Sequence, residues 1–381
     1  MPKKLTPAEI EEIYDSGKHR LTQERSDFLL PQIIDFVKNK KWLNLRPEYQ
    51  RRLVWDRKKK SRFIESLLMN IPVPPVFLYE TDLSRYEVMD GQQRLSTIIE
   101  FYGNQLKLVG LEVWPSLNGL TFEQCPPRIR SGLDRRRISA NVLLAESASS
   151  EEEINFIRRN VFERLNTGGL ELNAQEIRNS LYSGSFNDLL VELAGFRLFN
   201  TIWGIPPYED HYRKSDNFIS KELADNKLFQ RMIDCEIILR FFAFRKVSAI
   251  KGSNKSMFDR CMEENRDAPP SQIEEWRSTF KTSLEICSEI FKEHTFQVKD
   301  IKSKKFRLSQ PLFDSLMIAA DTYKGKRSFL IRNRTKIISE LNKALSSEST
   351  YEVIVGKPNT AAAVKQRISI VLDIFKKHAN A

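Results

Sequence analysis

The chain is poor in the residues from which most metal and redox centres are made. Its four cysteines, Cys125, Cys235, Cys261 and Cys287, stand far apart, with no C-x-x-C pair. That spacing suits neither a zinc site nor a disulfide framework, so reduced thiols and no zinc are expected. The four histidines, His19, His211, His294 and His378, are equally scattered. This argues against a histidine-built metal centre or a Ser-His-Asp catalyst. No run of eighteen apolar residues occurs, so no membrane-spanning helix is expected. The opening MPKKLTPAEIEEIYDSGKHR has no apolar core and no cleavage site, unlike a secretion signal, and a cytoplasmic location is the expectation. Internal repeats, low-complexity tracts and an obvious flexible linker are missing too.

What is present is a globular composition, with 41% hydrophobic and 29% charged residues in a chain of 381. That length suits one large or two ordinary domains with a substantial core. The formal charge is +11, which permits a phosphate-bearing partner without demanding one. From Lys38 to Arg62 there are eleven Lys and Arg against Glu48 and Asp56, and smaller basic clusters recur at 299–307 and 324–336. Such runs are either solvated faces or surfaces for nucleotides and nucleic acid.

Residues 1–30 are polar and read as an arm. PQIIDFVKNKK (31–41) predicts a short helix with Pro31 in its first turn, and WLNL (42–45) a strand. An amphipathic helix begins near Asp56 and is stopped by IPVPP. VFLYE (76–80) and RYEVM (85–89) read as strands joined by a turn. LSTIIEFYGN (95–104) predicts a helix stopped at Gly103-Asn104. Residues 105–145 look irregular, ISANVLLA (138–145) being the most strand-like part. A helix is expected over 149–166, then a turn at NTGG, then a helix capped by Asn173 with Glu176 three residues on. From about 185 the pattern is helical, ending in a helix that carries Val364, Ile368, Val371, Leu372 and Phe375 on one face.

The stretch YEVMDGQQRLST (86–97) carries the most chemistry. A glycine closing a strand allows close backbone approach. A helix starting at Gln92 or Gln93 would aim its N–H groups and dipole at an anion beside Gly91. Arg94 can add a bidentate phosphate contact, and Gln92 and Gln93 can hold a water, a ribose hydroxyl or a base edge. Asp90 can position a metal-bound water or orient Arg94. The plain alternative is a turn followed by a solvated helical start, because no Walker-type lysine is present. In RPEYQRRLVW (46–55), Gln50 and Arg51 lie between Tyr49 and Trp55, rings that serve either base stacking or core anchoring. In FERLNTGGLELNAQEIRNSLYSG (162–184), Asn166 is a further candidate ligand, whereas Gly168-Gly169 fits helix termination and Glu176 and Arg178 fit capping and an internal ion pair.

Together and in this order, YQRRLVW, IPVPPVFLYE, YEVMDGQQRLSTI and FERLNTGGLELNAQEIRNSLY resemble the DGQQR-motif domain at the N-terminus of GmrSD-type modification-dependent restriction enzymes. The same domain occurs in the phosphorothioation-sensing defence protein SspE. The resemblance covers about residues 25–250, and it implies a ParB/sulfiredoxin-like fold in which a G-x-x-R turn, here Gly91 to Arg94, grips nucleotide phosphates. It further implies NTP binding and hydrolysis within a DNA restriction or antiphage response. Carried over residue by residue, the site would be Asp90, Gly91, Gln92, Gln93 and Arg94, with Gln50 and Arg51 beside it. The divalent metal that assists a triphosphate, Mg by preference, has no assigned ligand beyond Asp90 as a candidate. The long members end in a His-Asn-His-type nuclease domain, which KEHTFQ around His294 and KKHANA around His378 do not fit. Cleavage of DNA by this chain alone is therefore not expected, and a separately encoded nuclease or other defence partner is.

The expectation is an α+β protein. A small mixed β-sheet of ParB/sulfiredoxin-like type, flanked by helices, lies in a nucleotide-binding domain over 1–215, followed by a mainly α-helical domain over 216–381. Its function is expected to be NTP binding and hydrolysis on or near DNA. The alternatives are a non-catalytic nucleotide or modified-DNA sensor and a carboxylate-only nuclease. The helical region either completes the core and an oligomer interface or contacts DNA.

Overall fold

The computed structural model describes residues 5–15, 22–45, 55–144, 160, 161, 164, 173–213, 218–299, 305–355 and 360–379. The chain divides into two compact units, Met1–Leu172 and Asn173–Ala381. The seam expected near residue 215 falls inside the second unit, because the helices of 174–203 share one apolar core with those that follow. Leu181, Phe186, Leu190 and Phe199 are buried in the same cluster as Phe241 and Phe280.

The first unit is built on a mixed sheet, as expected of an α+β protein. Its strands are β1 (Gln23–Leu29), β2 (Leu43–Asn44), β3 (Val76–Asp82), β4 (Arg85–Asp90) and β5 (Arg137–Leu143), in the order β1-β5-β3-β4-β2. β3 and β4 form an antiparallel hairpin, β3 runs parallel to β5, and β2 parallel to β4. The helices are α1 (Pro7–Asp15), α2 (Leu30–Lys38), α3 (Arg57–Leu68), α4 (Gln92–Tyr102) and α5 (Pro127–Asp134). Alternate strand residues Val76, Leu78, Val88, Ile138, Ala140 and Val142 share a core with Ile33, Ile64 and Ile98 of the helices. This is the period-two pattern of a sheet face meeting helix stripes.

Local signals place most boundaries. Asp56 caps α3 by accepting from the Lys59 N–H at 2.7 Å, one of the donors a helix start leaves unpaired. α4 stops at Gly103, and Asn104 takes the left-handed conformation with φ 61°. The first thirty residues depart from the arm-like expectation. β1 pairs along its whole length with β5, antiparallel, from Gln23↔Leu143 to Leu29↔Arg137. Its sequence QERSDFL has no apolar alternation, because an edge strand is held mainly by its backbone ladder and needs few buried side chains. Between 105 and 136 the chain is irregular apart from a short 3-10 turn at Pro115–Leu117 and α5, whose start is set by Pro126-Pro127.

The second unit is helical, with two-stranded pairings at Tyr212–Arg213 with Phe218–Ile219 and at β6 (Gln297–Lys299) with β7 (Phe306–Leu308). Its principal helices are α6 (Ala174–Leu181), α7 (Ser185–Ala194), α8 (Ile233–Arg245), α9 (Asn254–Glu264), α10 (Pro270–Phe291), α11 (Gln310–Thr322), α12 (Arg334–Ser346) and α13 (Ala361–His378). In α11 every residue from Leu312 to Ala320 is buried, so this helix is central rather than amphipathic. Its fully buried carboxylate, Asp314, meets Arg240 of α8 through paired contacts of 2.8 and 2.5 Å, and Arg367 of α13 lies 3.9 Å away. Burial pushes Asp314 above the usual carboxylate range. On α13, Val364, Ile368, Val371 and Phe375 are buried and Leu372 partly so, as their spacing predicts.

Candidate functional site: the strand–turn–helix at Asp90–Arg94

β4 ends at Asp90, and α4 begins at Gln92 with Gly91 as its N-cap. Gly91 has φ 95° and ψ 8°, in the left-handed region. A Cβ there would lie 2.5 Å from Val76 Cγ1 on the neighbouring strand. Glycine is thus required twice over, by torsion and by the close approach of β3. Gly91, as N-cap, has no side chain with which to cap α4, and the positive end of the helix dipole faces the turn.

Arg94 folds back along the turn. Its Nη2 donates to Asp90 Oδ2 at 2.9 Å, and its Nη1 donates to the carbonyls of Pro74 and, at 3.3 Å, Pro75. The side chain is 12% exposed, against 44% for Asp90. Burial lowers the Arg94 pKa and the neighbouring Asp90 raises it, with burial the larger effect. The carbonyls of IPVPP were not legible as partners of DGQQR. Nothing in the sequence couples segments about twenty residues apart except that proline leaves a carbonyl with no competing N–H.

Gln92 is buried, at 7% exposure. Gln93 is half-buried, and its Oε1 accepts from the Trp55 backbone N–H at 3.0 Å. That bond ties the end of the RPEYQRRLVW segment to the first turn of α4. Trp55 itself is partly buried and packs edge-on against Phe63 at 5.4 Å, the anchoring role weighed for it above. Gln50, Arg51, Tyr49 and Asn166 lie outside the described residues, as do most of the helix expected over 149–166 and the NTGG turn. The structure therefore brings Asp90, Gly91, Gln92, Gln93 and Arg94 together at one corner. It adds Pro74, Pro75 and Trp55 to them.

The later part of the third motif is structural. Asn173 Oδ1 accepts from the Gln175 and Glu176 N–H groups, and Glu176 Oε2 accepts from Asn173 N at 2.7 Å, the capping box read from the sequence. Glu176 pairs with Arg231 at 3.2 Å, while Arg178, buried, pairs with Asp259 at 2.8 Å and Glu236 at 3.1 Å. Among the described residues, no group of three or more His, Cys, Asp and Glu is gathered as a metal centre. No helix among them is long and apolar enough to cross a membrane.

The first unit is thus a small α+β body with a glycine-kinked strand–turn–helix between β4 and α4. Residues 32–183 match the family described as the GmrSD restriction endonuclease, N-terminal domain. The chain thus carries a GmrSD N-terminal-type domain, a domain of restriction systems, and the match does not extend beyond residue 183. No curated protein and no solved structure matches the chain.

Proposed function

We propose that this protein is a nucleotide-responsive regulator of a DNA restriction or antiphage system, with the Asp90–Arg94 corner as its triphosphate site. The observation that carries the reading is the convergence, inside the family-matched segment, of a helix start, a left-handed glycine turn and a guanidinium. A helix N-terminus with an adjacent arginine is suited to phosphate oxygens. Gln50, Arg51 and Asn166 complete the binding set in this reading.

Arg94 is held from behind by the Pro74 and Pro75 carbonyls and from in front by the more exposed Asp90. An incoming phosphate exchanges with Asp90 and leaves the carbonyl contacts in place, so the guanidinium is already oriented. Arg94 then stabilises charge developing on the transferred phosphoryl group, while Gln92 or Gln93 orients water. Asp90, one partly exposed carboxylate, fits the single protein ligand that Mg often takes when triphosphate oxygens supply others. When bound, the metal would supply neutralisation of phosphate charge. A separately encoded nuclease or defence partner, acting on or near DNA, would execute the response.

The commitment of Arg94 to three intramolecular acceptors favours a second reading, in which nucleotide is sensed and not hydrolysed. Phosphate release and calorimetric binding, measured for the full chain with each NTP and Mg, separate the two. Release that is lost in Gln93→Ala and Asp90→Ala supports hydrolysis. Binding without release, abolished in Arg94→Lys at unchanged melting temperature, selects the sensor. Absence of binding by any NTP overturns both.

A further inference from the structure

The β6–β7 hairpin of the second unit presents an aromatic ring to solvent on a basic surface. Phe306 is 50% exposed although apolar, and it stacks on the His294 imidazole with centroids 4.1 Å apart and planes inclined by 17°. The pairing sets Lys299 directly opposite Phe306, with Gln297 opposite Leu308. Because side chains alternate across a strand, Gln297, Lys299 and Phe306 share one face. His294 Nδ1 lies 3.4 Å from Gln297 Oε1 on that face. The imidazole covers one side of the Phe306 ring, and half of the residue's surface stays exposed.

The turn that holds His294 is strained at both ends. Lys292 has φ 53° and ψ −130°, and Phe296, fully buried, has φ 60°. Non-glycine residues rarely adopt such conformations, and they persist where the surroundings over-determine them. Lys299 is exposed on the face of Phe306 and Lys292 is exposed in the adjoining turn, against Glu293 as the exposed carboxylate among residues 292–299, whereas Lys305 and Arg307 are exposed on the opposite face of β7. Protein–protein interfaces are depleted in lysine at their centres. A cation placed across from an open ring instead suits a chain that alternates phosphates with flat bases.

We infer that this hairpin is a contact site for single-stranded nucleic acid, in which a base stacks on Phe306 and Lys299 meets the adjoining phosphate. A base inside a duplex already has neighbours on both faces, so the ring selects unpaired strands. The inference concerns a different unit from the nucleotide corner and does not depend on NTP binding.

The test is fluorescence anisotropy with the full chain, without nucleotide, on labelled oligothymidine and oligouridine. Both are about 20 nucleotides long, beyond the roughly 4–16 nucleotide footprint of such platforms. Single strands are expected to bind at least tenfold tighter than the matching duplex, and the two oligomers tell DNA from RNA. Phe306→Ala is expected to weaken single-strand binding by about fivefold to a hundredfold, whereas Phe306→Trp retains it. Lys299→Gln reduces the slope of log affinity against log salt by about 0.7. Equal affinity of wild type and Phe306→Ala, at matched melting temperatures, overturns the inference. So does a change of oligomeric state in Phe306→Ala with nucleic-acid binding intact, which makes the ring a protein contact.

Discussion

Gly91 stands where Val76 leaves no room for a methyl group and the backbone turns left-handed. In Gly91→Ala the torsion and the contact act together, and a loss of roughly 2–4 kcal/mol is expected. In a Val76→Ala background the nearest contact, to Cγ1, is gone while the Cβ of residue 76 stays 2.9 Å away, so the same substitution should cost less than in the wild type but more than the roughly 1–2 kcal/mol of the torsion alone. Urea unfolding of the four proteins measures the difference, and equal losses in both backgrounds would show that Val76 is not the obstacle. Arg94 and Gln93 teach the same lesson about single residues. Their chemical capacity to bind an anion or a water is readable from the sequence, but their intramolecular partners, Pro74, Pro75, Asp90 and the Trp55 N–H, are not. A phosphate drawn to the Arg94 guanidinium must compete with its Asp90 contact.

At the scale of elements, α3 organises a stretch that has no secondary structure of its own. Glu65, buried on α3, accepts from the N–H groups of Glu112, Val113 and Trp114 at 3.3, 2.8 and 2.9 Å. One carboxylate thus satisfies three backbone donors of a loop. Glu65→Ala is expected to cost about 2–3 kcal/mol and to speed hydrogen exchange at those three amides, with α4 unaffected. Unchanged exchange at Val113 and Trp114 would refute this account of the loop. Elements with local signals, such as the capped start of α3, the stop at Gly103 and the capping box at Asn173, were legible in the sequence. β1 was not, because a polar edge strand is specified by the ladder it joins. α11 read as one helix among many, yet its burial on all sides makes it the centre of the second unit.

At the scale of the whole molecule, the scattered cysteines follow from burial. All four are buried as free thiols, so alkylating reagents should modify them only after unfolding. Burial raises the pKa of Cys125 and Cys287, and it pushes Cys261 up to about 12. An unfolded thiol ionises near about 8.5. Above that value the unfolded state releases protons that the folded state keeps. The stability linked to Cys261 is therefore complete below about pH 8.5 and lost as pH rises toward 12. The urea midpoint should fall between pH 8 and pH 10, by less in Cys261→Ala than in the wild type, and identical falls in the two would exclude this thiol as a cause. The family-matched segment, ending at residue 183, continues past the boundary between the compact units into α6. Sequence relationship and packing thus partition the chain differently.

The sequence by itself determined where elements with local signals, such as the start of α3, the end of α4 and the start of α6, begin or end, that the chain is α+β, and that Asp90–Arg94 forms a strand–turn–helix. Caps, stops and periodicity act within a few residues, so their physics is written locally. Only the tertiary structure decided what those residues touch: Arg94 reaches carbonyls 19 and 20 residues away, Arg240 finds Asp314 across 74, and Asp27 of β1 meets Ser139 across 112. Such pairings depend on which distant surfaces pack together. That choice is made by burial and register summed over the whole unit, and no short motif contains it.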